Sequence, residues 1–220
     1  MLERHLIRRG FEVVVTKAPG GSETGEAYRD FFLKYHKELS PRSELATLCA
    51  SMNETWHTVI EPALDAGKIV LTDRWTGSTR AYQGGGKEYD PCMVDSIIDA
   101  VLHDAYEPNL SIYTKVIYET AQDRLSGRDP RLISSLDKMG PVFFDRVIAE
   151  YDRYYPHNPR KLVGDVFTHY RIDCEGDIDE NHEKIFKLVD RKITAWEVSH
   201  QLKRHQEELA LQPQAAMIGN

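Results

Sequence analysis

Two kinds of apolar pattern alternate along the chain. Short continuous runs stop abruptly at charged or turn residues, and longer stretches repeat their apolar positions every three or four residues. Val13-Val14-Val15, within Phe11 to Thr16, and Ile69-Val70-Leu71, within Ile69 to Thr72, are of the first kind. Runs of this length with such borders predict buried strands. Leu110 to Tyr113 and His169 to Asp173 predict two more. Helical spacing covers Met1 to Arg9, closed by Gly10, and Glu26 to Lys37. It returns from Glu44 to about Ala66, with Ser43 as cap, a bend near Glu61-Pro62 and Gly67 as stop. Further helices are expected over Pro91 to His103, Glu119 to Leu125, Val142 to Tyr155 and Asp179 to Trp196. Strand and helix alternate without repeats, the pattern of an α/β fold in three layers, a parallel sheet with helices on both faces. From about Gln201 the chain turns Gln-rich and then small and apolar, so a flexible tail over 201–220 is expected behind a domain over 1–200.

Composition narrows the function classes. At 220 residues one domain is the default, and 41% apolar with 29% charged residues fits a globular protein with a proper core. A net charge of −7 argues against a partner that is a nucleic-acid polymer or a membrane surface. An anionic small molecule stays possible, because a site needs only a few local cations. No apolar run approaches the ~20 residues of a membrane span. Glu3, Arg4, His5, Arg8 and Arg9 interrupt any signal-peptide pattern at the start. Cys49, Cys92 and Cys174 are odd in number and far apart, which suggests a reducing compartment, the cytoplasm, and no zinc spacing.

Three features converge on phosphate. Lys17-Ala18-Pro19-Gly20-Gly21-Ser22 follows a strand and precedes a helix, and its glycines let backbone N–H groups approach an anion. Asp73-Arg74 closes the second strand, with Ser78, Thr79, Tyr82 and Gln83 after it. The carboxylate can orient a metal-bound water or a sugar hydroxyl, and the planar guanidinium suits phosphate. Arg124, Arg128 and Arg131 lie in a Gly- and Pro-containing segment between helices. Arginines so placed can close over a polyphosphate.

In this order the motifs resemble those of the thymidylate kinases of the bacterial and phage type. The family's Arg-Glu-Pro-Gly-Gly-Thr loop corresponds to Lys17 through Ser22. Its Val-Ile-x-Pro-Ala-Leu helix end matches Val59-Ile60-Glu61-Pro62-Ala63-Leu64 with Gly67. Its Asp-Arg-x-x-x-Ser-Thr-x-Ala-Tyr-Gln-Gly signature matches Asp73-Arg74, Ser78-Thr79 and Ala81-Tyr82-Gln83-Gly84, and is the specific part. Pro108-Asn109-Leu110 resembles its Pro-Asp-Leu strand entry, and Phe143-Phe144-Asp145-Arg146-Val147 with Tyr151 its Phe-Phe-x-Arg-Val-x-x-x-Tyr helix. The resemblance implies a P-loop kinase-like fold and transfer of the ATP γ-phosphate to dTMP or a related pyrimidine deoxynucleotide, with Mg2+. It also implies a homodimer. Arg74 would hold the acceptor phosphate, and Asp73 would order the magnesium. Lys17, Pro19 and Gly20 would flank the monophosphate. Ser78, Thr79 and Gln83 would face the base, and Tyr82 the sugar. Arg124, Arg128 and Arg131 resemble the lid arginines.

Two departures stand out. The family opens with a strand and a Gly-x-x-x-x-Gly-Lys-Ser/Thr loop, and no such motif occurs in this sequence. A start placed at an internal methionine, a fragment of a longer product, or a degenerate non-catalytic nucleotide-binding or assembly subunit would each account for this. The first two are favoured, because the remaining motifs are intact. The helix that carries an aromatic residue and an arginine in the family reads Leu48, Met52 and Asn53 near those positions. Loss of an arginine bond to the base removes about 1.5–3 kcal/mol of recognition. Asn53 could offer an amide instead, and the base could be a modified pyrimidine.

Overall fold

The computed structural model describes residues 1–103, 105, 107–127, 129, 136–155 and 168–211. They form two units, Met1–Gly176 and Asp177–Asn220. The first begins with α1 (Leu2–Arg8), which Gly10 ends at φ 92°, then β1 (Val13–Lys17) and α2 (Glu23–Tyr35). The helix α2 starts three residues earlier than its apolar spacing suggests, because the Ser22 hydroxyl accepts the Gly25 N–H and caps it. α3 (Pro41–Thr55) is capped by Ser40 rather than Ser43, with Pro41 at its first position. It passes through a π-helical turn at Trp56–Ile60 into α4 (Glu61–Asp65). The expected bend is therefore a widened turn just before Pro62. β2 (Ile69–Asp73) follows, then α5 (Thr76–Thr79), a second π-helical turn (Arg80–Gly86) and α6 (Pro91–Val101). β3 (Leu110–Lys115), α7 (Tyr118–Ser126), α8 (Pro141–Tyr154) and β4 (Thr168–Asp173) complete the unit.

All strand pairing is parallel, as the alternation of elements requires. Among the described residues it forms two separate two-stranded sheets instead of one continuous sheet. β1 pairs with β2, in a register that sets Val13 beside Ile69 and Lys17 beside Asp73. β3 pairs with β4, setting Leu110 beside Thr168 and Lys115 beside Asp173. The strands are less buried than their apolar runs imply. β2 is half-buried through Thr72, and Val15 is exposed.

The main core lies between α3 and α6. Leu45, Cys49, Met52, Trp56 and Ile60 follow the helical stripe and meet Val94, Ile98 and Leu102, with Trp75 and Ala18 closing the cluster. Burial of the Cys49 thiol pushes its pKa up to about 12. A second cluster joins Ala81 to Phe143 and Val147 of α8. Close approach here explains two glycines. A Cβ on Gly85 would lie 2.7 Å from Glu150 Cβ and 2.9 Å from the Arg146 carbonyl oxygen, and one on Gly86 would lie 2.4 Å from the Phe143 ring.

The second unit holds α9 (Ile178–Leu211), with Asp177 accepting the Asp179 and Glu180 N–H groups at its start. The helix runs past Trp196, where the apolar spacing ends. Residues 197–211 are rich in Glu, Gln and Leu and contain no Gly or Pro, so helix propensity carries it on.

Candidate functional site

The site is assembled where β1 and β2 end together. In parallel α/β sheets the carboxyl edge is where ligands bind. The register brings Lys17 beside Asp73, and the Ala18 N–H donates to the Asp73 carbonyl at 2.9 Å. The loop from Lys17 to Ser22 and the Asp73-Arg74 pair are thereby neighbours.

The loop is tied down along its length. The Gly20 N–H donates to Ser51 Oγ at 2.8 Å, and the Thr55 hydroxyl donates back to the Gly20 carbonyl. The Gly21 N–H donates to Glu26 Oε1 at 3.0 Å, and Arg29 Nη1 donates to the Pro19 carbonyl at 3.0 Å. Gly20 and Gly21 sit at φ 105° and 88°, in the left-handed region open to glycine. The amides of both glycines are thus committed to protein acceptors, not left open to an anion. Lys17 Nζ pairs with Glu26 at 2.9 Å. That Lys17 bond, helped by the Gly21 N–H, holds the Glu26 carboxyl below its ordinary range.

Arg74 is the distinctive member. Its φ of 73° is left-handed, where a side chain with a Cβ is strained. That residue breaks the line of β2 before extended Trp75, whose buried ring anchors the entry to α5. The Arg74 guanidinium lies over the Tyr82 ring, 4.9 Å from its centroid, and makes no salt bridge with a described residue. Although the residue as a whole is exposed, its head group is surrounded closely enough that burial works against its charge. Tyr82, Tyr151 and Asp73 outweigh that effect, and its pKa rises above the usual guanidinium value. The cation is charged at every accessible pH. Asp73 is exposed and makes no salt bridge with a described residue.

Behind Arg74 stands a wall of tyrosines. Tyr82 meets Tyr151 edge-on at 6.5 Å, and Tyr151 stacks on Tyr113 at 4.5 Å. Ser78 Oγ and the Tyr151 hydroxyl share a hydrogen bond of 2.7 Å. Burial pushes the Tyr151 phenol well above its ordinary pKa, so it stays neutral. α5 is clamped from outside. Thr76 donates to Glu107 at 2.6 Å, while Arg80 reaches Asp95 at 2.8 Å and Glu107 at 3.4 Å.

On the α3 side, Leu48 and Met52 are buried, and the Thr79 hydroxyl contacts Met52 Sδ at 3.9 Å. Asn53 is half-buried. Gln83 is buried and donates from Nε2 to Glu44 at 3.1 Å. Lys17, Pro19, Gly20, Asp73, Arg74, Ser78, Thr79, Tyr82, Leu48 and Met52 therefore belong to one neighbourhood of linked elements. Arg124 belongs to another, the ends of β3 and β4, where Nη2 donates to the Cys174 carbonyl at 2.7 Å. Arg128 and Arg131 lie outside the described residues. Sequence reasoning gave no role to Glu26, Glu44, Ser51, Thr55 or Lys87. The signal for Glu44 was available: a charged residue one turn ahead of Leu48 and two ahead of Met52, on a face that otherwise goes inward.

Comparison with known proteins identifies the family. The family model described as thymidylate kinase matches residues 1–185. The thymidylate kinase of Nitrosomonas europaea is 34% identical over 161 residues, covering 73% of this chain and 74% of the relative. That of Haemophilus ducreyi is 34% identical over 185 residues, covering 83% and 81%. A crystal structure of thymidylate kinase from Ehrlichia chaffeensis superposes with a TM-score of 0.59 at 24% identity, over 86% of this chain and 88% of that one, and shares the fold. On the family match and these identities, the chain belongs to the thymidylate kinase family.

Proposed function

We propose that the chain binds dTMP, or a related pyrimidine deoxynucleoside monophosphate, as the acceptor of the ATP γ-phosphate. The observation that carries this reading is Arg74: a strained cation with no salt bridge to a described residue, at the shared carboxyl edge of β1 and β2. A guanidinium so placed grips the acceptor phosphate with paired N–H donors. Tyr82 lies beneath it on the sugar side. Leu48, Met52, Asn53, Ser78 and Thr79 line the base side. Catalysis is then positioning and charge stabilisation, without a covalent intermediate on the protein.

The residues fit one protein ligand for Mg2+. Asp73 offers an exposed carboxylate, and magnesium usually takes one or two carboxylates and completes its octahedron with water and phosphate oxygens. Among the described residues no three Asp, Glu, His or Cys side chains gather into a metal site by themselves. When bound, the ion neutralises phosphate charge.

The fit to the ATP polyphosphate is poorer. The Gly20 and Gly21 amides are committed, and the sequence holds no other glycine-rich phosphate loop. Each two-stranded sheet, however, keeps both of its outer strand edges without a strand partner among the described residues. We propose that a further parallel strand belongs between β2 and β3, joining the two sheets and bringing the donor loop with it. The resemblance assigns Arg124, Arg128 and Arg131 to the donor side, the last two lying outside the described residues. The homodimer implied by the resemblance has a candidate face in the exposed Tyr28, Phe31 and Tyr35 of α2.

The committed amides also favour a second reading, a nucleotide-binding subunit without transfer. Calorimetric titration with dTMP and a coupled assay with ATP and a panel of deoxynucleoside monophosphates separate the two. Binding with transfer supports the kinase, and binding alone supports the second reading. Absence of both refutes the acceptor site. No described helix is long and apolar enough to cross a membrane.

A further inference from the structure

Glu44 is fully buried, and the chemistry above does not use it. Both of its oxygens are occupied. Oε1 accepts from Lys87 Nζ at 2.7 Å and from Gln83 Nε2 at 3.1 Å. Oε2 accepts from the same Lys87 nitrogen at 2.7 Å and from the Tyr89 hydroxyl at 3.0 Å. Three donors converge on a group that, ionised beside Lys87, cannot donate.

The consequence falls on Gln83. A glutamine amide can ordinarily turn end for end, because its oxygen and nitrogen ends have nearly the same shape. Against a carboxylate only the NH2 end can face inward. The carbonyl end is turned the other way. It has no hydrogen-bond partner among the described residues, and it is not among the polar atoms sealed away from solvent. Gln83 directly follows Tyr82, which underlies Arg74, and lies four residues after Thr79, which touches Met52.

We infer that Glu44 is a specificity-determining positioning residue. By fixing the Gln83 carbonyl as an outward acceptor, it makes the site select a pyrimidine whose N3 carries a proton, such as thymine or uracil. Cytosine, whose N3 is itself an acceptor, is rejected. This rests on the acceptor reading of the site proposed above.

The test is calorimetric titration of wild type, Glu44→Gln, Gln83→Leu and the double variant Glu44→Gln/Lys87→Met with dTMP and with dCMP. In Glu44→Gln, Lys87 and Tyr89 retain the new amide's oxygen, its NH2 faces Gln83, and Gln83 turns its carbonyl inward. The outward acceptor becomes a donor. The ratio of dTMP to dCMP affinity is expected to fall by about tenfold or more, the effect of one reversed hydrogen bond. The double variant keeps the charges balanced should Glu44→Gln alone fail to fold. Gln83→Leu removes the carbonyl while leaving the Glu44–Lys87 pair in place, and both are expected to lose the preference. A purely structural Glu44 weakens both nucleotides alike, and an unchanged ratio in the folded variants overturns the inference while leaving the acceptor site standing. Wild type that binds neither nucleotide overturns both.

Discussion

Replacing Lys87 by Met tests whether the Glu44 cluster holds the first unit together. The Glu44 side chain is 0% exposed and Lys87 only 15%. Removing the ammonium leaves a buried carboxylate facing just the Gln83 amide and the Tyr89 hydroxyl. Breaking one side of a buried pair costs about 3–5 kcal/mol, mostly through the charge left behind. In a chain of this size that lowers the melting temperature by roughly 10 °C. Glu44→Gln/Lys87→Met removes both charges at nearly constant volume, so it should recover more than half of the loss. Urea unfolding followed by the fluorescence of buried Trp56 and Trp75 reads both variants. A Lys87→Met loss below about 1 kcal/mol, the range of an exposed pair, refutes the reasoning. So would a double variant no more stable than the single one.

Four further outcomes concern other parts of the unit. Gly85→Ala should cost about 1–3 kcal/mol in urea unfolding, because its Cβ meets the Arg146 carbonyl at 2.9 Å. Gly84→Ala should be neutral or stabilising, since the nearest atom, Val94 Cγ2, is 4.0 Å away. Arg74→Gly should match or exceed wild type in thermal stability, by relieving a left-handed backbone that costs of order 1–3 kcal/mol, yet lose dTMP binding more than tenfold in calorimetry. Glu26 has a folded pKa depressed first by Lys17 and then by the Gly21 N–H. Its contribution to stability is present above the unfolded carboxyl value and lost as pH falls through the folded one. Wild type should therefore melt higher than Glu26→Gln near neutral pH, with the gap closing in the acid range.

The strands and the site edge were legible because they rest on one-dimensional signals. An apolar run that stops at Asp73 marks both a strand and its carboxyl end, and the Asp73 to Gly84 spacing identifies the family. Contacts between distant segments were not legible. Residues 76–86, with three successive glycines, drew no helix expectation, yet they form α5 and a π-helical turn. Gly85 and Gly86 are there to let α8 approach. The sequence marked a bend near Glu61-Pro62 but not its form, a π-helical turn at Trp56–Ile60 whose Trp56 and Ile60 lie in the core. A charged residue on an inward face announces Glu44, but not that Lys87, 43 positions away, completes it.

The two halves of the proposed reaction are unequally provided for, and that difference has a physical reason. An acceptor monophosphate needs one well-placed fork of donors. In the proposed reading Arg74 provides it, with a left-handed backbone, a tyrosine beneath, and no salt bridge to a described residue to be broken first. A polyphosphate needs several backbone N–H groups converging from a loop, and the amides of Gly20 and Gly21 are spent on Ser51 and Glu26. Those bonds instead brace the acceptor side, because they fix the Lys17–Ser22 loop to α3 and α2. The loop and the Asp73-Arg74 pair consequently act as one rigid edge. Its affinity for a monophosphate should persist even under conditions where no ATP is bound. Measuring dTMP binding with and without ATP bears directly on this: an acceptor affinity that appears only in the presence of ATP would mean that the edge is organised by the donor and not by the bonds described above.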